Sequence, residues 1–568
     1  MKNIKIKISL IFAIIGLGLI SCNDDALNLN DTTKISDLAV WNTQQSADMY
    51  ITASYKTFSD VSQVANSRGA YYDSFSDLTK STSWDQYSHP YNKALMQTSA
   101  FATGSAGAFE CWNDVYTRIR RANVALEDIS RYGSKFGNDW CDIRRAEIRL
   151  CRAYSYYRLI RVYGGIVLRT DISGANGGID NGDNKSDINR ARLSEADSWN
   201  YVISELQWAA ERLPESWASS WGGRATKKTA YGLLSRMTLY AGQWQASVDA
   251  AEKVKELGGA LAPDYSKVFQ VNAGQDNSSE ILFALYYQKG SLTHNYDRYN
   301  RPFGDGTVYN TAVYAEHVPT AELADMYEFN DGSNFNWSTY KANGHTDPYT
   351  DREPRFKATI LYNGCKWEGR DIQTYMSGND GFVAFSQAGS TNGHTPTGYY
   401  IRKYLQEGNA GFVNDYSWQY DAVLRYAEVL LNKAEAYARL DYAANSGKAL
   451  DALNEVRHRV GLPDKTITDA PDVDTFMSLL RKERCIELAG EGFRYWDLRR
   501  WKLAGNVING QNVHGVKITR DSATGTMTYD KVDCDGGGTR VFLDKYYYFS
   551  LPTSETANNK LCKNNPYW

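Results

Sequence analysis

An apolar run of the roughly 20 residues that a membrane-spanning helix requires is missing from this chain; the stretch from Ile8 to Ile20 is about 13 residues long. Cys-x-x-Cys is also absent, which removes the usual basis for a zinc ribbon or a thioredoxin-type redox site. The seven histidines, at 89, 294, 317, 345, 394, 458 and 514, form no His-x-x-x-His pair and no zinc helix. No Walker loop, Gly-x-Ser-x-Gly elbow or dinucleotide fingerprint occurs. There is no basic stripe of the type that tracks a polyanion, so nucleic acid is not an expected ligand. No cofactor is expected, although an oxygen-ligated structural calcium ion would leave little trace in a sequence.

What is present begins at the N-terminus. Lys2, Lys5 and Lys7 precede the apolar stretch, which closes on Leu19-Ile20-Ser21-Cys22. A basic start, an apolar core and a small residue before the cut are the parts of a secretory signal. Leu-x-Ser-Cys resembles a bacterial lipobox, in which the cysteine, here Cys22, becomes the acylated first residue of the mature chain. The following Asn23-Asp24-Asp25 resembles the surface-export signal of Bacteroidetes lipoproteins. The expected mature protein is a body held to the outer membrane by acyl chains, facing the cell exterior. Loss of the three lysines leaves 60 basic against 66 acidic residues.

The 568 residues are 42% apolar and 23% charged, a balance that supports a large core and excludes wholesale disorder. Beyond Cys22, seven cysteines remain. Cys141 and Cys151 fall on one expected helix, roughly 15 Å apart along its axis, too far to pair with each other; most of the seven read as small core residues, with one bridge elsewhere left open. Aromatics reach 13%, with 41 Tyr, 15 Trp and 19 Phe. Tyr and Trp carry an apolar face and a polar tip, which suits either flat-faced binding of polar ligands or tyrosine-rich packing. Composition does not separate the two.

Periodicity divides the chain. From about 40 to 258 it is helical: Trp199, Val202, Ile203, Leu206, Ala209, Ala210 and Leu213 trace one stripe, opened by Ser194 with Asp197 three residues on and closed by Pro214. Phe109 to Ile129 and Ile143 to Val162 form a predicted helix pair ending at Gly164-Gly165. Thr229 to Tyr240 and Trp244 to Leu257 form another. From 259 to 417, Gly, Asn, Asp and Pro crowd in and helical periodicity is lost, which predicts loops and short strands. Helices return at 418, with stripes Val423, Ala427, Leu430, Ala434, Tyr437 and then Ala449, Leu453, Val456, Val460, and a third helix from Thr475 to Ala489. Thr526 to Tyr529 and Tyr546 to Leu551 read as short strands. The expected fold is mainly α: helix pairs stacked in tetratricopeptide-like fashion, with a large loop-rich insertion and a few short strands. The expected divisions are a signal over 1–21, an N-terminal helical region over 22–258 and a C-terminal region over 259–568.

Three stretches carry a family resemblance: Ala146-Glu147-Ile148-Arg149-Leu150-Cys151-Arg152-Ala153-Tyr154-Ser155-Tyr156-Tyr157 with Tyr163-Gly164-Gly165; Arg425-Tyr426-Ala427-Glu428 through Ala434-Glu435-Ala436; and Arg481-Lys482-Glu483-Arg484 with Glu487-Leu488-Ala489 and Glu491-Gly492-Phe493-Arg494-Tyr495-Trp496-Asp497. With Gly223-Arg224-Ala225, Arg352-Glu353-Pro354-Arg355 and Asn454-Glu455-Val456-Arg457, they resemble the SusD/RagB family of Bacteroidetes outer-membrane lipoproteins over nearly the whole mature chain. One departure is the end, Asn565-Pro566-Tyr567-Trp568, where the family usually has Asn-Pro-Gly and an aromatic. The resemblance implies a non-enzymatic, glycan-binding surface lipoprotein that sits as a lid on a SusC-type TonB-dependent transporter for polysaccharide utilization. RagB-like relatives handle peptides instead. A surface glycoside hydrolase and a purely structural lipoprotein are the readings from other classes.

In the third stretch, Arg481, Arg484, Glu487, Glu491 and Arg494 sit three or four residues apart, which on one continuous helix sets opposite charges side by side. A structural ion-pair network is the common case for such spacing, and Glu487 with Glu491 as an acid/base pair is its catalytic alternative. A pyranose offers a C–H face and a rim of hydroxyls, which call for an exposed aromatic flanked by short polar side chains. Tyr71, Tyr72, Asp73, Trp84, Asp85 and Tyr87 supply that mixture between helices, with Trp84 the first choice to stack or else to pack beneath the loop. Asn295, Tyr296, Tyr299, Tyr314, Trp337 and Trp367 are the further candidates from the loop-rich middle.

Overall fold

The computed structural model describes residues 37–62, 71–82, 89–170, 189–270, 279–342, 344–383 and 394–568. Cys22 and the signal segment lie outside them. None of the helices described is long and apolar enough to cross a membrane.

The scaffold is a file of antiparallel helices. After α1 (Gln44–Thr52) come α2 (Trp112–Tyr132), α3 (Asn138–Tyr163), α4 (Glu195–Arg212), α5 (Lys227–Tyr240) and α6 (Trp244–Glu256). Then follow α7 (Tyr426–His458), α8 (Val473–Glu487) and the short α9 (Arg494–Arg500). From α2 to α8 each helix packs on the next, so the file is the expected stack of pairs. Local chemistry sets the ends. Ser194 Oγ accepts from the Asp197 N–H at the start of α4, and Thr226 and Thr229 form a reciprocal capping box on α5. Gly164 ends α3 at φ +74. At Gly165 an added Cβ would lie 2.0 Å from the Leu193 carbonyl oxygen, so this turn admits only glycine. α7 is two helices without a loop: Asp441 leaves helical geometry (φ −170, ψ 101), and its Oδ1 accepts from the Ala444 N–H to start the second half.

The chain leaves the file after α6 and re-enters at α7, yet α6 packs directly on α7. The excursion is closed at its base by β2 (Ile281–Leu285) pairing antiparallel with β8 (Asp421–Arg425) across a bulge. Within it are helices of only four to seven residues, such as Tyr296–Asn300 and Pro354–Thr359. Three more two-stranded ladders tie it down: β1 (Thr79–Ser81) with β3 (His317–Pro319), β4 (Ile360–Leu361) with β7 (Tyr400–Ile401), and β5 (Lys366–Trp367) with β6 (Arg370–Asp371). The fifth, β9 (His514–Arg520) with β10 (Met527–Asp533), lies in the C-terminal part.

Several expectations are corrected. Val423 lies on β8, not on a helix; its neighbours Ala422 and Leu424 pair with β2. The strand expected at 526–529 is longer and has an unanticipated partner in β9. Tyr546 to Leu551 is not a strand: it opens with a 3-10 turn, Asp544–Tyr547, and the Phe549 N–H donates to the Val162 carbonyl on α3. The helix expected through Ala489 ends at Glu487, because Gly490 and Gly492 turn the chain with φ of +77 at each. Glu491 and Arg494 are therefore not helical neighbours of Arg484 and Glu487. The opposite charges find partners far away in sequence instead.

Those partners form the polar centre of the molecule. Arg425 reaches Glu280, Glu487 and Glu491. Arg355 reaches Glu353, Glu483 and Glu487. Arg459 reaches Glu280 and Glu487, Lys403 reaches Glu491, and Arg457 joins Glu328 to Glu483. All are buried except Arg459 and Glu491, whose side chains are themselves only 2% exposed. Burial alone would raise the Glu487 pKa, yet Arg459, Arg425 and Arg355 hold it well below the ordinary carboxylate range. Removing one charge from such a cluster strands the others in a dry interior. Glu487→Gln is expected to lower unfolding free energy by about 3–5 kcal/mol, measured by chemical denaturation at neutral pH.

Candidate functional site

The site is built from two segments that are far apart in sequence. The 71–82 segment runs from a 3-10 turn, Tyr72–Phe75, into β1, and β1 pairs with β3. This ladder places residues 79–82 beside 314–319. The Thr82 hydroxyl donates to the Ala315 and Tyr314 carbonyls at 2.6 and 3.3 Å, and the Thr82 N–H donates to Glu316 O. The short helix Tyr296–Asn300 is laced to the segment leading into that strand: the Glu316 N–H donates to Tyr299 O at 2.6 Å and the Tyr314 N–H to Arg298 O at 3.2 Å.

The outcome is a stacked pair of tyrosines. The rings of Tyr299 and Tyr314 lie 4.9 Å apart at 19°, both half-buried. Charged residues lie next to them in the chain, Arg298 before Tyr299 and Glu316 two residues after Tyr314. Arg298 lies 3.5 Å from Asp415, whose neighbour Tyr416 is 52% exposed. His89 Nε2 lies 3.1 Å from the buried Glu316 carboxylate. Asn295 heads the 296–300 helix, and its carboxamide oxygen meets no donor among the described residues. Flat rings on segments that also carry a guanidinium and a carboxylate supply the kinds of group that a hydroxyl-rimmed ligand requires.

The other sequence-predicted residues divide. Trp84, Asp85 and Tyr87 lie outside the described residues. Four are removed from any ligand surface by burial. Tyr71 stacks on His317 at 4.2 Å and 11° and has no exposed face. Asp73 accepts from the Gly490 N–H at 2.7 Å in the interior. Tyr296 donates its hydroxyl to Lys403 O. Trp367 donates to Asp305 at 3.0 Å beneath Arg301. Trp337 is half-buried, donating to the Asp325 carboxylate at 2.9 Å and packing on Phe335. Tyr72 lines a cavity of about 390 Å³ with Asp60, Arg158, Arg161 and Trp496, apart from the tyrosine pair. His89, Arg298, Asp415 and Tyr416 were not singled out by sequence reasoning. The Arg298–Asp415 contact spans 117 residues, and no local spacing signals it.

The acid/base alternative does not survive the geometry. The side chains of Glu487 and Glu491 are 0% and 2% exposed, and each is bound by two or more cations. Among the described residues no group of three or more His, Cys, Asp or Glu side chains is arranged to hold a metal ion. The seven cysteines from Cys111 to Cys562 are free thiols.

Comparison with known proteins gives two family matches. The model of the SusD family matches residues 279–568, and one described as starch-binding, associating with outer membrane, matches 23–239. A SusD-like protein of Formosa agariphila is 26% identical over 421 residues, covering 72% of this chain and 74% of that protein. The crystal structure of a SusD-like protein from Bacteroides fragilis superposes with a TM-score of 0.77 at 26% identity, over 94% of this chain and 99% of that one. A SusD-like carbohydrate-binding protein of the same organism gives 0.74 at 23% identity, over 92% and 100%.

Asp73 provides a titration test of the interior beneath the site. Burial pushes its carboxyl up to about 6, against the opposing pull of the Gly490, Gly492 and Arg494 amides. Its folded pKa is above the unfolded value of about 3.9, so its contribution to stability falls as pH rises from about 4 to about 6. The stability of Asp73→Asn relative to the native chain is therefore expected to rise across that window, read from melting temperatures taken at each pH.

Proposed function

The chain belongs to the SusD family, and from that premise we propose that it is a non-catalytic, surface-exposed lipoprotein that binds oligosaccharides and passes them to a SusC-type TonB-dependent transporter. The observation that carries the glycan reading is the Tyr299–Tyr314 stack with the charged residues next to it in the chain. A stacked pair is rigid, so little side-chain freedom is lost when a pyranose C–H face settles on it. Arg298, Asp415 and His89 are the polar groups that this reading assigns to the hydroxyls at the rim. The description of one matching family as starch-binding and outer-membrane-associated, and the carbohydrate-binding relative of B. fragilis, support the same reading. Acylation at Cys22 supplies the anchor. The partner is a β-barrel of the outer membrane, for which the supporting argument is family membership.

No catalysis is part of this reading, since the two carboxylates best placed by sequence for acid/base work are locked in ion pairs. Calorimetric titration of the mature protein against a panel of polysaccharides tests it. Binding of at least one glycan without sugar release is the expected result. Tyr299→Ala and Tyr314→Ala are each expected to weaken that binding by about tenfold or more while leaving the melting temperature within about 2 °C. Peptide binding with no response to any glycan would move the assignment to the RagB-like branch. Sugar release by the purified protein would end the non-catalytic reading.

A further inference from the structure

Buried arginines in this protein follow a rule. Arg144, Arg152, Arg236, Arg355, Arg425, Arg484 and Arg540 each meet a carboxylate, and Arg352 is instead met by the carbonyls of Pro348, Ala324 and Tyr327. Arg499 breaks it, and so does its half-buried neighbour Arg161. Arg161 on α3 makes no hydrogen bond or ion pair among the described residues; its guanidinium lies between the rings of Tyr157 and Trp496, 4.3 Å from each. Arg499 on α9 stands 5.1 Å from the same indole, is 5% exposed, and spends one donor on the Tyr547 carbonyl. Its Nε and Nη1 have no acceptor, nor does Arg161 Nε. The indole N–H of Trp496, itself 3% exposed, and the Tyr240 hydroxyl are buried and unpartnered as well.

All four side chains line one cavity of about 100 Å³, which also meets Lys502 and Glu195. That volume is several times what a single water needs. The charge balance of its walls is positive: Arg500 already answers Glu435 and Asp497, and the one lining carboxylate, Glu195, accepts from Tyr548 Oη at 2.6 Å and Trp199 Nε1 at 3.4 Å. Burial pushes the Arg499 guanidinium below its ordinary pKa, and the charge on Arg161 pushes the same way. Two cations on one ring with unmet donors are costly unless an anion joins them.

We propose that Arg161, Arg499 and the Trp496 indole N–H form a binding site for a small inorganic oxyanion of the phosphate or sulfate class. The anion supplies the missing counter-charge and accepts from both guanidinium groups. It thereby ties α3 to α9 and to the C-terminal segment at Tyr547, in a cavity that the tyrosine pair does not line and independent of any glycan. Anion binding to the folded state alone raises stability by mass action.

The test is titration of inorganic phosphate, and separately sulfate, into the mature protein at matched chloride and ionic strength, read by calorimetry and by melting temperature. Saturable one-to-one binding is expected, with a melting temperature that climbs with the logarithm of anion concentration. Arg161→Met keeps the apolar stem over the rings. It is expected to abolish both effects without lowering the melting temperature in anion-free buffer. Trp496→Phe keeps the ring and removes one donor, weakening binding by about tenfold. Absence of saturable phosphate or sulfate binding by the native protein overturns the proposal. So does unchanged affinity in Trp496→Phe, which decides the matter if Arg161→Met does not fold.

Discussion

The buried ion cluster centred on Arg425 and Glu487 is the constraint on which the architecture depends. Its members come from the base of the insertion (Glu280, Arg425), from inside it (Glu328, Arg355, Lys403), from the end of α7 (Arg457, Arg459), and from α8 and the turn after it (Glu483, Glu487, Glu491). A cluster of this type contributes little net stability compared with well-packed apolar residues. What it contributes is uniqueness. Each carboxylate has a place only when the insertion closes in one register against α7 and α8, because any other leaves charge buried and unpaired. The bulged β2–β8 ladder lies directly beside it, so backbone pairing and charge pairing select the same closure.

That closure makes a site possible. The insertion is poor in long elements, and its helices are too short to hold a shape alone. Its geometry is inherited from the scaffold through short ladders. β1 and β3 are three residues each, yet they fix the 314–316 backbone, and through it Tyr299 and Tyr314, against a segment more than 200 residues earlier. The rigidity of the tyrosine pair therefore originates in the helical file and not in the loops that carry it.

The tyrosine excess has the same double character. Many of the 41 tyrosines are structural, their hydroxyls spent on protein acceptors: Tyr55 on Glu147, Tyr116 on Val167 O, Tyr156 on Arg169 O, Tyr163 on Glu110 and Tyr548 on Glu195. Tyrosine here bridges an apolar core and a highly charged interior, one end packed and the other hydrogen-bonded. The residues that remain for a ligand are a small remainder, and composition could not pick them out.

Sequence by itself determined the helical scaffold. The stripe from Trp199 to Leu213, the Ser194 cap and the Gly164-Gly165 stop encode their conformations locally, within a turn or two of helix. It also favoured a structural network for the charged stretch at 481–497, where mixed charge is interleaved with Trp and Leu. Only the tertiary structure decided which charges pair, because Gly490 and Gly492 turn the chain before the helical spacing is complete. Only it decided that Tyr71, Tyr296 and Trp367 pack inward while Tyr299 and Tyr314 stack beside Arg298 and Asp415. Whether an aromatic ring faces ligand or core depends on what lies across from it. For Tyr71 and Tyr296 that neighbour comes from a hundred or more residues away, beyond the reach of any periodicity.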